Sequence, residues 1–160
     1  MNIFFLHPTP AIAASYHCDK HVGKMLIESC QLLAVAHHES GNGHNVSYKP
    51  THKNHPSALW TRSSVLHYAY VAELARWLAF EFYRRYGKHH KSEFVLKAEL
   101  KAPPPALTMG GWTNPPLAMP KDYHSDDAVK SYRAYYISKQ AKMAMVYYKG
   151  QRTQPEFFHA

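Results

Sequence analysis

The sequence is short of cysteine and glycine, with two and seven of them in 160 residues. So few cysteines exclude a disulfide-stapled scaffold, and no paired-cysteine or HExxH motif points to a zinc module. Cys18 and Cys30 lie on what reads as one helix, where their spacing corresponds to about 18 Å, beyond the reach of a disulfide. Both are expected reduced. Long apolar runs are also missing: 46% of residues are hydrophobic, but in short, interrupted stretches. No segment therefore reads as a bilayer span or a cleavable leader, and a cytoplasmic protein with no membrane partner is expected. Strand-period alternation and internal repeats are absent too, which leaves an all-α fold in a single domain over residues 1–160. Acidic residues are few, 11 against 19 basic ones, for a formal charge of +8 that the 13 histidines raise below neutral pH.

That imbalance favours a polyanionic partner, with nucleic acid first and an anionic membrane surface second, although solubility alone is a sufficient reason for scattered basic groups. The three Trp, 12 Tyr and seven Phe strengthen nucleic acid, because rings interleaved with basic residues stack on bases while the charges neutralise phosphates.

Along the chain, "MNIFFLHPTP" is a short apolar segment expected to tuck against the core. Residues 11 to 38 have helical periodicity and end at the loop-forming "HHESGNGHN". Asn54 and Pro56 suit the cap and first turn of a second helix running to Tyr86. Its apolar positions are Leu59, Leu66, Tyr70, Leu74, Trp77 and Phe82, with Gly87 as its stop. A shorter helix, "KSEFVLKAELK", precedes "APPPALTMGGWTNPPLAMP", whose prolines and glycines predict a long surface loop. A last helix is expected from Ser125 to Tyr148, with Asp126 and Asp127 at its positive end. The expected architecture is a compact, monomeric helical bundle.

On the first helix, His17, His21, Lys24, Glu28 and Gln31 step by four, three, four and three, which places them on one face. Cys18, Val22, Met25, Leu26, Cys30 and Leu33 form the face that packs inward. The polar stripe is either a solvated surface with Lys24 and Glu28 as an i, i+4 pair, or the lining of a groove that moves protons or contacts bases. A second cluster, His52, Lys53, Asn54, His55 and Arg62, with Lys49 just before it, opens the second helix. Free N–H groups there attract phosphate, or Asn54 and His55 serve only to cap and pack. His17, His21, His52 and His55 could alternatively share a metal ion in a hydrolase. "YRRYGKHHK" and the lysines among the C-terminal tyrosines could track a phosphate backbone, or simply be a wet helix surface.

The succession "GKMLIESCQLL", "KNHPSALW", "FYRRYGK", strongest over residues 2–90, with a looser match at "MVYYKG", resembles the phage and bacterial pyrimidine-dimer DNA glycosylase superfamily. The resemblance implies a compact α-helical domain that needs no cofactor and acts on double-stranded DNA. It implies a flipped nucleotide, attack on the sugar C1′ by an α-amine, and strand cleavage by β-elimination, assisted by a carboxylate on the first helix. Carried onto this chain, the amine is that of Met1, expected to be retained before the bulky Asn2, and the carboxylate is Glu28. An α-amine is a competent nucleophile near neutral pH, and a carboxylate beside it stabilises an iminium and moves protons. Lys24 is the other candidate nucleophile, with His21 and Lys20 as neighbours that could make it less basic. His17, Lys20, Gln31, Lys49, His52, Lys53, Asn54, His55 and Arg62 are the expected DNA contacts. A non-catalytic nucleic-acid-binding protein using the same basic, aromatic surface is the alternative from another class.

Overall fold

In the computed structural model, which describes residues 1–159, the first expected helix is two. α1 (Pro10–Ser15) and α2 (Asp19–Glu39) are separated by Tyr16, His17 and Cys18. No proline or glycine stands at that break. It is made by tertiary partners: the Tyr136 hydroxyl accepts the Cys18 N–H at 2.9 Å, and Val146 O accepts the Asp19 N–H at 2.8 Å. The long second helix is likewise divided, into α3 (Pro56–Thr61) and α4 (Val65–Tyr86). Ser64 causes this, because its Oγ accepts the Leu66 N–H at 3.1 Å and donates to Gly110 O at 2.9 Å, making it the N-cap of a new helix.

The break changes which residues face inward. Tyr70 and Leu74 are buried as expected, but Leu59, Leu66 and Trp77 are each at least 40% exposed. The inner face of α4 instead runs through Tyr68, Val71, Leu74, Ala75 and Leu78. α4 ends as expected at Gly87, whose φ of 66° is the left-handed conformation that glycine adopts without strain.

α5 (Lys91–Ala98) follows, and residues 101–120 contain no helix. α6 (Ala128–Ile137) starts three residues later than expected, because Asp127 is its N-cap and its Oδ1 accepts the Val129 and Lys130 N–H groups. It stops eleven residues early. Beyond a short turn at Ser138–Ala141 the chain crosses the start of α2, with the Tyr147 hydroxyl donating to Tyr16 O at 2.9 Å.

The fold is thus all-α. α4 packs along α2 and α1, α3 and α5 flank α2, and no strand occurs among the described residues. Leu26, Leu33, Leu74, Leu78, Tyr68, Tyr132 and Tyr136 fill its centre. No described helix is long and apolar enough to cross a membrane. Both cysteines are buried and free.

One polar cluster lies inside this core. Arg85, whose side chain is 0% exposed, donates to Glu81 at 3.0 Å, Asp19 at 3.1 Å, His17 O at 2.7 Å and Ser15 O at 3.1 Å. Arg152 of the C-terminal segment closes the cluster on Glu81. Every N–H of the guanidinium fork that these bonds use has an oxygen, which is what a buried charge requires. Arg85 therefore ties α1, α2, α4 and the C-terminal segment together, and is not available to track a phosphate backbone.

Candidate active site at the amino terminus

Ile3, Phe4, Phe5 and Leu6 are buried, so the apolar start of the chain is indeed tucked into the core. The turn that aims it is unusual. Phe4 has φ of 47°, a left-handed conformation that costs a non-glycine residue about 1 kcal/mol. Asn2 holds it: Asn2 Oδ1 accepts the Phe4 N–H at 2.8 Å, and Asn2 Nδ2 donates to Ala118 O at 2.9 Å. The Phe4 ring stacks on His21 and Tyr135, with centroids 5.7 and 5.9 Å away. Backbone, side chain and ring together leave Asn2 one position.

That position faces Glu28. The Asn2 N–H donates to Glu28 Oε2 at 2.8 Å, and the Met1 α-ammonium lies 3.9 Å from the same oxygen. Lys24 Nζ, one turn earlier on α2, lies 3.8 Å from Glu28 Oε1. The Glu28 side chain is 15% exposed and that of Lys24 62%, so a half-sheltered carboxylate is offered nitrogen from both sides at the edge of the protein.

His55 adds a third kind of group. It caps α3, its Nδ1 accepting the Ser57 N–H at 3.1 Å, which leaves the neutral ring its proton on Nε2. Partial burial, then the positive α-amine and His52, hold the imidazole below its usual range, and Glu28 opposes the shift. One residue of the second polar cluster, His55, thus lies within electrostatic reach of the amine and the carboxylate.

The five-residue stripe does not survive as one surface. His17 precedes α2 rather than lying on it, and its ring is fully buried with Nδ1 2.8 Å from Ala13 O. His21 is buried beside the Tyr136 hydroxyl at 3.0 Å. Desolvation, helped by neighbouring cations, lowers His17 to about 3 and His21 to about 4, so both are neutral packing groups near pH 7. The stripe was cut because Tyr136 and Phe4, distant in sequence, close over its first turn. Only Lys24, Glu28 and the half-buried Gln31 remain on the accessible face.

The other expected contacts are distributed around this centre. Lys20 and Lys24 are exposed, and together with Lys139 their charges bear on His21. Lys139 Nζ sits 3.7 Å over the Tyr135 ring. Lys49, His52, Lys53 and Asn54 are exposed, and Asn54 is not the cap of α3, a role His55 has taken. Lys53 and Arg62 are drawn to Glu39 at 3.7 and 4.0 Å, and Arg62 Nη1 donates to Lys53 O at 2.6 Å. These groups gather at the far end of α2 from Lys20.

Among the described residues no three His, Cys, Asp or Glu side chains converge to hold a metal ion. Of the four histidines considered for one, His17 and His21 are buried and neutral, His55 caps α3, and His52 is exposed in the loop before it. Asn2 is the residue of this centre whose role sequence reasoning did not foresee, and Lys139, one of the lysines among the C-terminal tyrosines, is brought beside His21. The signal for Asn2 was a lone polar side chain ahead of four apolar ones, with nothing local to show what it would hold.

The chain matches no family model, no curated protein and no solved structure.

Proposed function

We propose that this chain is a DNA glycosylase, with abasic lyase activity, that attacks a damaged or modified pyrimidine nucleotide through an amine and a Schiff base. The observation that carries the proposal is Glu28, which binds the Asn2 N–H at 2.8 Å and lies within 4 Å of two primary amines, those of Met1 and Lys24.

Chemically, one ammonium first passes its proton to Glu28 or, through water, to His55. The freed lone pair forms a bond to the sugar C1′ while the C1′–N bond breaks. Its electron pair leaves with the base, which takes up a proton. Transfer of one of the nitrogen's two protons to O4′, by way of Glu28, then opens the sugar and gives the iminium, which keeps the other proton and whose positive charge the Glu28 carboxylate faces. Removal of a C2′ proton then expels the 3′ phosphate by β-elimination. Such a site can act only on a nucleotide turned out of the duplex. In this reading Lys20, Lys24 and Lys139, whose charges all bear on His21, and the exposed Lys49 and Lys53 neutralise the flanking phosphates.

The test is to incubate the protein, in EDTA, with duplexes carrying a thymine dimer or an abasic site and to add borohydride. A covalent protein–DNA band that is lost in Glu28→Gln supports the proposal. Salt-sensitive binding with no band on either duplex would instead favour a non-catalytic binding protein.

A further inference from the structure

A cavity of about 690 Å³ lies between the N-terminal segment, α4, the proline-rich loop and the start of α6. Its floor is aromatic: Phe5, Tyr70 and Trp112, with centroids 5.2, 6.3 and 5.6 Å apart and no two planes parallel. Its wall is acidic, formed by Asp126 and Asp127, with Asn114 beside them. None of these residues belongs to the Glu28 centre.

Trp112 is 43% exposed although rings hold it on several sides. The next residue is clamped: Trp60 Nε1 donates to Thr113 O at 3.1 Å, and the Thr113 N–H donates to His67 Nε2 at 2.9 Å. The backbone that follows Trp112 is thus fixed, and the indole presents its exposed surface to the cavity.

The acids are equally out of keeping with a protein of charge +8. Among the described residues neither carboxylate forms an ion pair. Both are exposed; Asp127 uses Oδ1 to cap α6, and the Asp126 side chain has no hydrogen-bond partner among the described residues. An exposed indole beside two solvent-exposed carboxylates that have no ion-pair partner among the described residues attracts a cation with apolar substituents: the ring quadrupole and the carboxylates favour the charge, and the substituents cover the ring. A phosphate would be repelled from the same place.

We infer that this cavity is a binding site for an alkylated ammonium ion, with Trp112 as its platform and Asp126 and Asp127 as its counter-charges. The volume admits a ligand of quaternary-ammonium size with its substituents.

The test titrates the protein with choline and, separately, with 3,3-dimethylbutan-1-ol, its neutral isostere, following indole fluorescence and the indole N–H resonances by NMR. Saturable binding of choline with a shift of the Trp112 resonance is expected, and the neutral isostere should bind at least about tenfold more weakly. Asp126→Asn/Asp127→Asn keeps a capping side chain at the start of α6 and removes both charges. It should lose choline binding by a similar factor with an unchanged melting temperature, and Trp112→Ala should abolish the shift. Equal binding of the two ligands, no shift at Trp112, or undiminished binding by the folded double variant would overturn the inference.

Discussion

Glu28 accepts the Asn2 N–H and stands between two ammonium groups. Glu28→Gln keeps the length of the side chain and removes its charge, so base release and strand cleavage should fall by about 100-fold or more, while DNA binding changes little. Unimpaired cleavage by this variant would remove Glu28 from the reaction. Asn2 is a different case, because both ends of its buried amide are used. Asn2→Ala leaves the Phe4 N–H and Ala118 O without it, at a cost of about 1 to 3 kcal/mol, and frees the amino terminus. Urea unfolding and the cleavage rate should therefore fall together. The pairing of Lys24 with Glu28 was legible in the sequence because the two share a helical face one turn apart, whereas the turn through Asn2 and Phe4 that brings Met1 to Glu28 follows no local pattern. His17 and His21 carried the same periodicity but sit in the core, since periodicity shows which residues share a face and not which face later elements cover.

Among the elements, α4 illustrates what local patterns can reveal. Gly87 marked its end because a left-handed residue is a local requirement, whereas Ser64 and the Tyr16 to Cys18 break were invisible because their partners, Gly110, Tyr136 and Val146, lie far along the chain. The basic run beginning "YRR" shows the same limit. Arg85 is a buried tie between elements, so Arg85→Ala should destabilise the protein by about 3 to 5 kcal/mol in denaturant titrations, by stranding Asp19 and Glu81. Arg84→Ala, one residue away on the exposed side of α4, should change stability by less than about 0.5 kcal/mol. If the two variants unfold alike, the buried cluster does not hold the elements as described.

For the whole molecule, the buried neutral histidines make stability depend on pH. His17 and His21 titrate near 6.5 when unfolded and are lowered to about 3 and about 4 when folded. Between those limits the unfolded chain binds more protons, so their contribution is complete above pH 6.5 and is lost as the pH falls toward 4 and then 3. Each should account for roughly 2 kcal/mol between pH 6.5 and pH 5. Urea midpoints measured across that interval should fall, and a flat profile would show that the rings are not buried neutral. The net charge acts at the same scale. Three lysines around His21 near phosphates predict a slope of about −3 or steeper in log K against log salt for duplex binding. The all-α class and the basic character behind this prediction were both legible from composition and period alone.

The most direct test of the amine site is to map the borohydride-reduced adduct by mass spectrometry after digestion. The geometry around Glu28 predicts a sugar-derived mass on the amino-terminal peptide or on the peptide containing Lys24, and on no other. An adduct on a distant lysine, or cleavage of the DNA with no adduct at all, would contradict an amine reaction at this site.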